Sequence, residues 1–144
     1  MGAKNYSLKT FTSPRIVQML VSLLFISMGL IGFSTRGGLS GDFSTELSRL
    51  FGGGNDELIR NGVSAILLVS GLILFSALFV KGIPAKLIST AKIGVLVIWL
   101  ALILVLDVLV VNFSSFDTSS WFVWGEQVVI HLIVLVNIAV ISES

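Results

Sequence analysis

Four residues capable of chemistry sit among side chains that are not: Asp107, Glu126, Gln127 and His131. Asp107 is the one charged group in IGVLVIWLALILVLDVLVV (93–111), and the other three lie in WFVWGEQVVIHLIVLVNIAV (121–140), together with Asn137. Two carboxylates close together in a low-dielectric medium do not both ionise cheaply. One holds a proton, or a cation sits between them. An imidazole is the side chain whose ordinary charge change falls near neutral pH. Ionisable groups inside a membrane segment mark ion or proton pathways by default. The structural alternatives are an ion pair, an acid reaching for the interface, and a histidine hydrogen-bonded to Gln127 or to a serine of another helix.

Where these groups can lie is set by four apolar runs, 16–33, 63–80, 93–111 and 122–141. A hydrocarbon core about 30 Å thick needs about 20 helical residues, and a lipid-facing backbone must bond within its own helix. Apolar residues make up 55% of the chain and charged ones 12%, with a mean hydropathy of +1.03. This composition excludes an ordinary water-soluble domain, where about 25% of residues are charged. The expected fold is a single all-α integral membrane domain, a bundle of four transmembrane helices. Ser13 and Pro14 provide a start signal for the first. Its apolar run exceeds the roughly 7–15 residues of a signal-peptide core, so it is expected to be a retained span.

Charge asymmetry orients the bundle. Lys4, Lys9 and Arg15 precede the first span, and Lys81, Lys86 and Lys92 fall in the connection 81–92. Arg36, Arg49 and Arg60 on the other side are diluted by Asp42, Glu46, Asp56, Glu57 and Asp117. Lys and Arg favour the cytoplasmic face, so both termini are expected in the cytoplasm of a cell with an inner membrane. The Gly-rich loop STRGGLSGDFSTELSRLFGGGNDELIRNG (34–62) is then external. Within it, 42–51 has the spacing of a short helix with Phe43, Leu47, Leu50 and Phe51 on one face, lying on the membrane or capping the bundle.

This topology fixes depth at 1.5 Å per residue. Asp107 lies about 6 Å from the outer end of span three and Glu126 about 6 Å from the outer end of span four. The two acids are therefore expected at one level, with Arg36 or Arg60 able to reach them. His131 falls near the midplane, one turn after Gln127. Gln18 and Asn137 share an inner level and could tie the first span to the last. The broad polar flank of span four implies that it is buried or faces a partner, whereas span three is expected to face lipid most. Small residues, Ser22, Ser27, Gly29 and Gly32 in span one and Ser64, Ser70, Gly71, Ser76 and Ala77 in span two, predict close helix approach. Phe113, Phe116, Trp121 and Trp124 form an aromatic belt.

Several chemistries are excluded. There is no cysteine, hence no disulfide or thiolate metal site, and the net charge of +1 is too small for nucleic-acid binding. No metal site is predicted, because a single histidine does not make one. No cofactor is predicted either. A b-type haem would need His131 with Met19 or Met28, or sharing across a dimer. No nucleophile, base and orienter come together, which leans against an enzyme.

The segments SPRIVQMLVSLLFISMGLIGF (13–33) and RNGVSAILLVSGLILF (60–75), joined by an external loop, resemble small four-span bacterial inner-membrane proteins of the DoxX-like type. A basic residue following the span-one glycine in that family falls near Arg36. The resemblance covers about half of the chain and implies a four-span fold. Taken together, the expected function is a non-catalytic accessory or scaffold subunit in a lipid bilayer, bound to other membrane subunits or to itself. The alternatives are a small proton- or ion-coupled transporter or channel using Asp107, Glu126 and His131, and a redox or quinone-linked membrane protein using His131.

Overall fold

The computed structural model describes residues 13–34 and 37–144. Its helices are α1 (Pro14–Ser34), α2 (Gly38–Leu50), α3 (Asp56–Ser76), α4 (Ala85–Ile103) and α5 (Thr118–Glu143). α4 continues directly into a π turn, Leu104–Leu109, and a single 3-10 turn, Phe113–Ser115, precedes α5. There is no strand among the described residues. Four helices are long and apolar enough to cross a membrane: α1, α3, α4 with its π turn, and α5. They pack as a ring in which α1 meets α3, α3 meets α4, α4 meets α5, and α5 returns to α1.

The tightest seam joins α1 to α3, and glycine creates it. A methyl group on Gly29 would lie 2.7 Å from the backbone nitrogen of Leu68, and one on Gly71 would lie 2.9 Å from that of Ile26. The two backbones therefore touch where the sequence places its small residues, the arrangement by which membrane helices gain packing without a hydrophobic driving force. Gln18 donates from Nε2 to the Leu74 carbonyl at 2.8 Å, strengthening the same seam. This corrects the expected tie between Gln18 and Asn137. A free carbonyl near the end of α3 lies within reach of Gln18, and Asn137 stays half-buried on α5. Beneath the seam, Phe25 packs edge-on to Trp99 in the core, their ring centres 5.8 Å apart.

α2 lies at one end of the bundle, against α1, α3 and the π turn. Its covered face is Ser40, Phe43, Ser44 and Ser48, while Leu50 and Phe51 are exposed. The expected face of Phe43, Leu47, Leu50 and Phe51 is thus corrected in part: Phe43 is buried and Leu47 packs against the core, but Leu50 and Phe51 lie beyond the covered end. Serines that find local acceptors fill the rest of the covered face. Ser40 donates to the Met28 carbonyl at 2.9 Å, and Ser44 to that of Ser40 at 2.7 Å. Ser48 bonds to Asp56 at the start of α3. α2 stops in a Schellman motif, with Gly53 N–H bonded to the Ser48 carbonyl and Gly52 N–H to that of Arg49. Gly52 and Gly53 have φ of +93° and +74°, which only glycine adopts without strain.

All four spans begin before their apolar runs, α3 and α4 by the most. α3 starts at Asp56, whose negative charge and that of Glu57 suit the positive end of the helix. α4 starts at Ala85 behind Pro84, so Lys86 and Lys92 ride on its first turns and are not in a loop. Coverage also differs from expectation. α5 is the least enclosed of the four spans, and α4 is as enclosed as α3. The reason is the ring order, in which α5 contributes His131, Ile138 and Ile141 to the interior and turns most of its surface outward.

Candidate functional site

The π turn decides where Asp107 points. Its i→i+5 bonding, seen in the Val110 N–H to Val105 carbonyl bond of 3.1 Å, adds a residue to the turn. At about 100° per residue, one added residue rotates the side chains of the turn to a new face. Asp107 is turned inward and is 1% exposed. Its carboxylate lies between α4 and α5, where Oδ2 is 2.7 Å from His131 Nδ1 and Oδ1 accepts from Gln127 Nε2, also at 2.7 Å. Gln127 and His131 are four residues apart, so one face of α5 offers both donors to one carboxylate.

Two tryptophans fix the backbone around this pair. Trp124 Nε1 donates to the Asp107 carbonyl and Trp99 Nε1 to the His131 carbonyl, each at 2.9 Å. The His131 carbonyl would otherwise bond only within α5, and the Asp107 carbonyl lies in a turn of weaker geometry. Trp99 also meets the His131 ring edge-on at 5.7 Å. Phe113, Phe116, Trp121 and Trp124 pack on one another at the α4–α5 connection, mostly edge to face. The belt predicted from sequence is thus a single aromatic cluster.

His131 is 4% exposed. With Nδ1 given to Asp107, Nε2 has no partner among the described residues. Nor is it sealed, since the fully enclosed unpartnered side-chain atoms are Arg60 Nε and Ser64 Oγ. The ring lines a groove of about 420 Å³ that also contains Glu126 and Gln127. Where Asp107 is ionised it accepts from Nδ1–H, and Nε2 of the neutral ring is then an acceptor facing this groove. Nε2 is also the imidazole atom left for a metal or cofactor. No third acidic or histidine side chain joins Asp107 and His131 among the described residues.

The structure therefore unites Asp107, Gln127 and His131 and leaves Glu126 apart. Glu126 is exposed on α5 and makes no ion pair among the described residues, and the buried partner of Asp107 is His131 rather than the acid expected at the same level. Arg60 pairs with neither acid and lines a small cavity of about 40 Å³ with Ser44, Thr45 and Asp56. Arg36 lies outside the described residues. Sequence reasoning passed over Trp99 and Trp124 as contributors to the site. Their signal was present, since a buried indole N–H usually finds an acceptor.

Comparison of the chain with family models, with characterised proteins and with solved structures gives no match. The functional reading accordingly rests on the site's geometry.

Proposed function

We propose that the protein is a small multi-pass membrane subunit that takes up and passes on a proton at the Asp107–His131 pair, working beside other membrane subunits or copies of itself. The observation that supports this best is an enclosed carboxylate and imidazole 2.7 Å apart between two membrane-grade helices. A scaffold has little need of such a pair. Replacing a buried ion pair with apolar groups is often neutral or stabilising, and interhelical polar bonds in membranes average about 0.6 kcal/mol. In this reading a proton reaches Nε2 from the groove. Asp107 holds Nδ1–H and fixes the ring, while Gln127 holds the second carboxylate oxygen. Release towards the opposite side of the bilayer resets the pair and is the step that gradient discharge reads.

Proteoliposomes with an imposed pH gradient and an internal pH dye test this. The wild-type chain is expected to discharge the gradient faster than empty vesicles, and His131→Gln and Asp107→Asn are expected to fall to the empty-vesicle rate. Equal discharge by all three proteins at matched density overturns the reading.

The subunit part is supported by α5, where Glu126 sits beside the exposed Phe122, Val123, Val129 and Ile130. A carboxylate turned to hydrocarbon is costly, and a neighbouring chain would cover it. Mass measurement after mild-detergent extraction is expected to find a stoichiometric companion or a homo-oligomer, and monomer alone argues against it. The Lys and Arg asymmetry supports both termini lying in the cytoplasm, as does its usual effect on short loops. A reporter fused at Ser144 that is active only outside the cytoplasm reverses that orientation.

A further inference from the structure

The groove at His131 has a lining that selects for a particular ligand chemistry. Its walls are Leu24 of α1, Leu39 of α2, Trp99 of α4, and Val123, Ile130 and Val134 of α5. Its polar groups are Glu126, Gln127 and His131. Gln127 spends one N–H of Nε2 on Asp107 and keeps Oε1 as an acceptor and a second N–H as the one donor, while the Glu126 carboxylate and His131 Nε2 accept. Glu126 and His131 are five residues apart, about 7.5 Å along the helix. The groove thus offers an apolar body space with acceptors at two depths. A ligand that fits it is apolar, ring-sized and donates hydrogen bonds from two ends. A single-headed ammonium would satisfy Glu126 and leave Nε2 unpaired. A groove of similar size, about 400 Å³ between α3 and α4, has only Ser70 and Thr90 as side-chain polar groups and offers no ionisable one.

We propose that this groove binds a membrane-soluble hydroquinone, with His131 Nε2 accepting from one hydroxyl and Glu126 or Gln127 accepting from the other. This deepens the proton-handling reading and rests on it, since the ligand donates to the same imidazole. Asp107 is the positioning residue, because its grip on Nδ1–H makes Nε2 an acceptor. The proposal concerns binding and invokes no electron transfer.

The test is a titration of the full chain in lipid nanodiscs with decylubiquinol, decylubiquinone and decylbenzene, monitored by tryptophan fluorescence. Trp99 lines the groove and reports occupancy. Saturable binding is expected, with the quinol at least tenfold tighter than either control, and with His131→Gln losing most of that preference. Thr90→Val in the other groove should bind as the wild type does. Asp107→Asn gives a readout that a merely structural role would not move. An asparagine amide donating to Nδ1 turns Nε2 into a donor, so the preference should reverse towards the quinone. Equal binding of the three compounds, no saturation, or an unchanged quinol preference in both His131→Gln and Asp107→Asn overturns the proposal. Gradient discharge on the same preparations separates the two ideas. Discharge without selective quinol binding refutes the ligand alone, and selective binding without discharge refutes the proton reading while keeping the site.

Discussion

Replacing Asp107 by alanine and by asparagine separates the work of the carboxylate's charge from that of its hydrogen bonds. Asp107 accepts two bonds of 2.7 Å, from Gln127 and from His131. Alanine strands both donors, and a buried unpaired donor costs about 1–3 kcal/mol. Gln127 can turn its amide into the adjoining groove, so the main loss falls on the imidazole, whose Nδ1 stays buried without a partner in either tautomer. We expect about 2–3 kcal/mol, roughly a 30- to 150-fold shift in the folding equilibrium. Asparagine keeps an oxygen for Gln127 and presents an amide donor to Nδ1, provided that the imidazole moves its proton to Nε2. Its cost should stay below about 1 kcal/mol, in line with membrane interhelical bonds. Reversible unfolding in mixed micelles against denaturing detergent gives both numbers. Because His131 is the only histidine, nitrogen-15 labelling of histidine reads its tautomer without assignment, with the proton on Nδ1 in the wild type and on Nε2 in Asp107→Asn. Equal destabilisation by the two substitutions, or an unchanged tautomer in Asp107→Asn, contradicts this account of the pair.

Other substitutions test the same geometry. Gly29→Ala and Gly71→Ala force apart backbones that a methyl would approach at 2.7 and 2.9 Å, and each should cost about 1–3 kcal/mol in the same unfolding assay. Gly125→Ala, with open space around it in the interior of α5, should instead stabilise by about 0.5–1 kcal/mol. Asp117 caps α5 by accepting from the Ser120 N–H at 2.8 Å and from the Ser120 and Ser119 hydroxyls. The Ser120 backbone bond first, then these hydroxyls, holds its carboxyl below the ordinary value. The resulting stabilisation is present above the unfolded-state value and is lost as the pH falls through the folded one. Asp117→Asn should therefore flatten the acid limb of thermal stability relative to the wild type, and identical acid limbs would contradict the cap's titration.

The four spans were legible because run length and apolarity respond to one physical demand, the thickness of the hydrocarbon. The α1–α3 seam was legible for a related reason, since Gly29, Gly32, Ser64 and Gly71 have no other use in a greasy helix. α2 was half legible. Its existence and the burial of Phe43 showed in spacing, but the rest of its covered face is Ser40, Ser44 and Ser48, whose burial depends on hydroxyls finding nearby acceptors and not on hydrophobicity. The partner of Asp107 was hidden by the π turn. Depth reckoned along regular helices places Asp107 level with Glu126, and only the widened turn directs it to His131. The shared face of Gln127 and His131 was visible from their i, i+4 spacing, whereas what they jointly hold was not. Gln18 shows the limit of pairing polar residues by depth, because a backbone carbonyl is as good an acceptor as a side-chain amide.

The α1–α3 seam also bears on how the chain is made. These two helices are not neighbours in sequence order, since α2 lies between them, yet they form the closest contact in the molecule. As synthesis proceeds, α1 enters the bilayer with a notch at Gly29 and Gly32 that lipid tails fill poorly. It waits in that condition until α3 emerges. Once Ser76 has left the ribosome, the seam can close, with α2 folded across its end. The α1–α3 pair can then form before α4 and α5 carry Asp107 and His131 into the bilayer. α4 and α5 thus meet a seam that is already closed, and the polar chemistry they carry has no part in closing it.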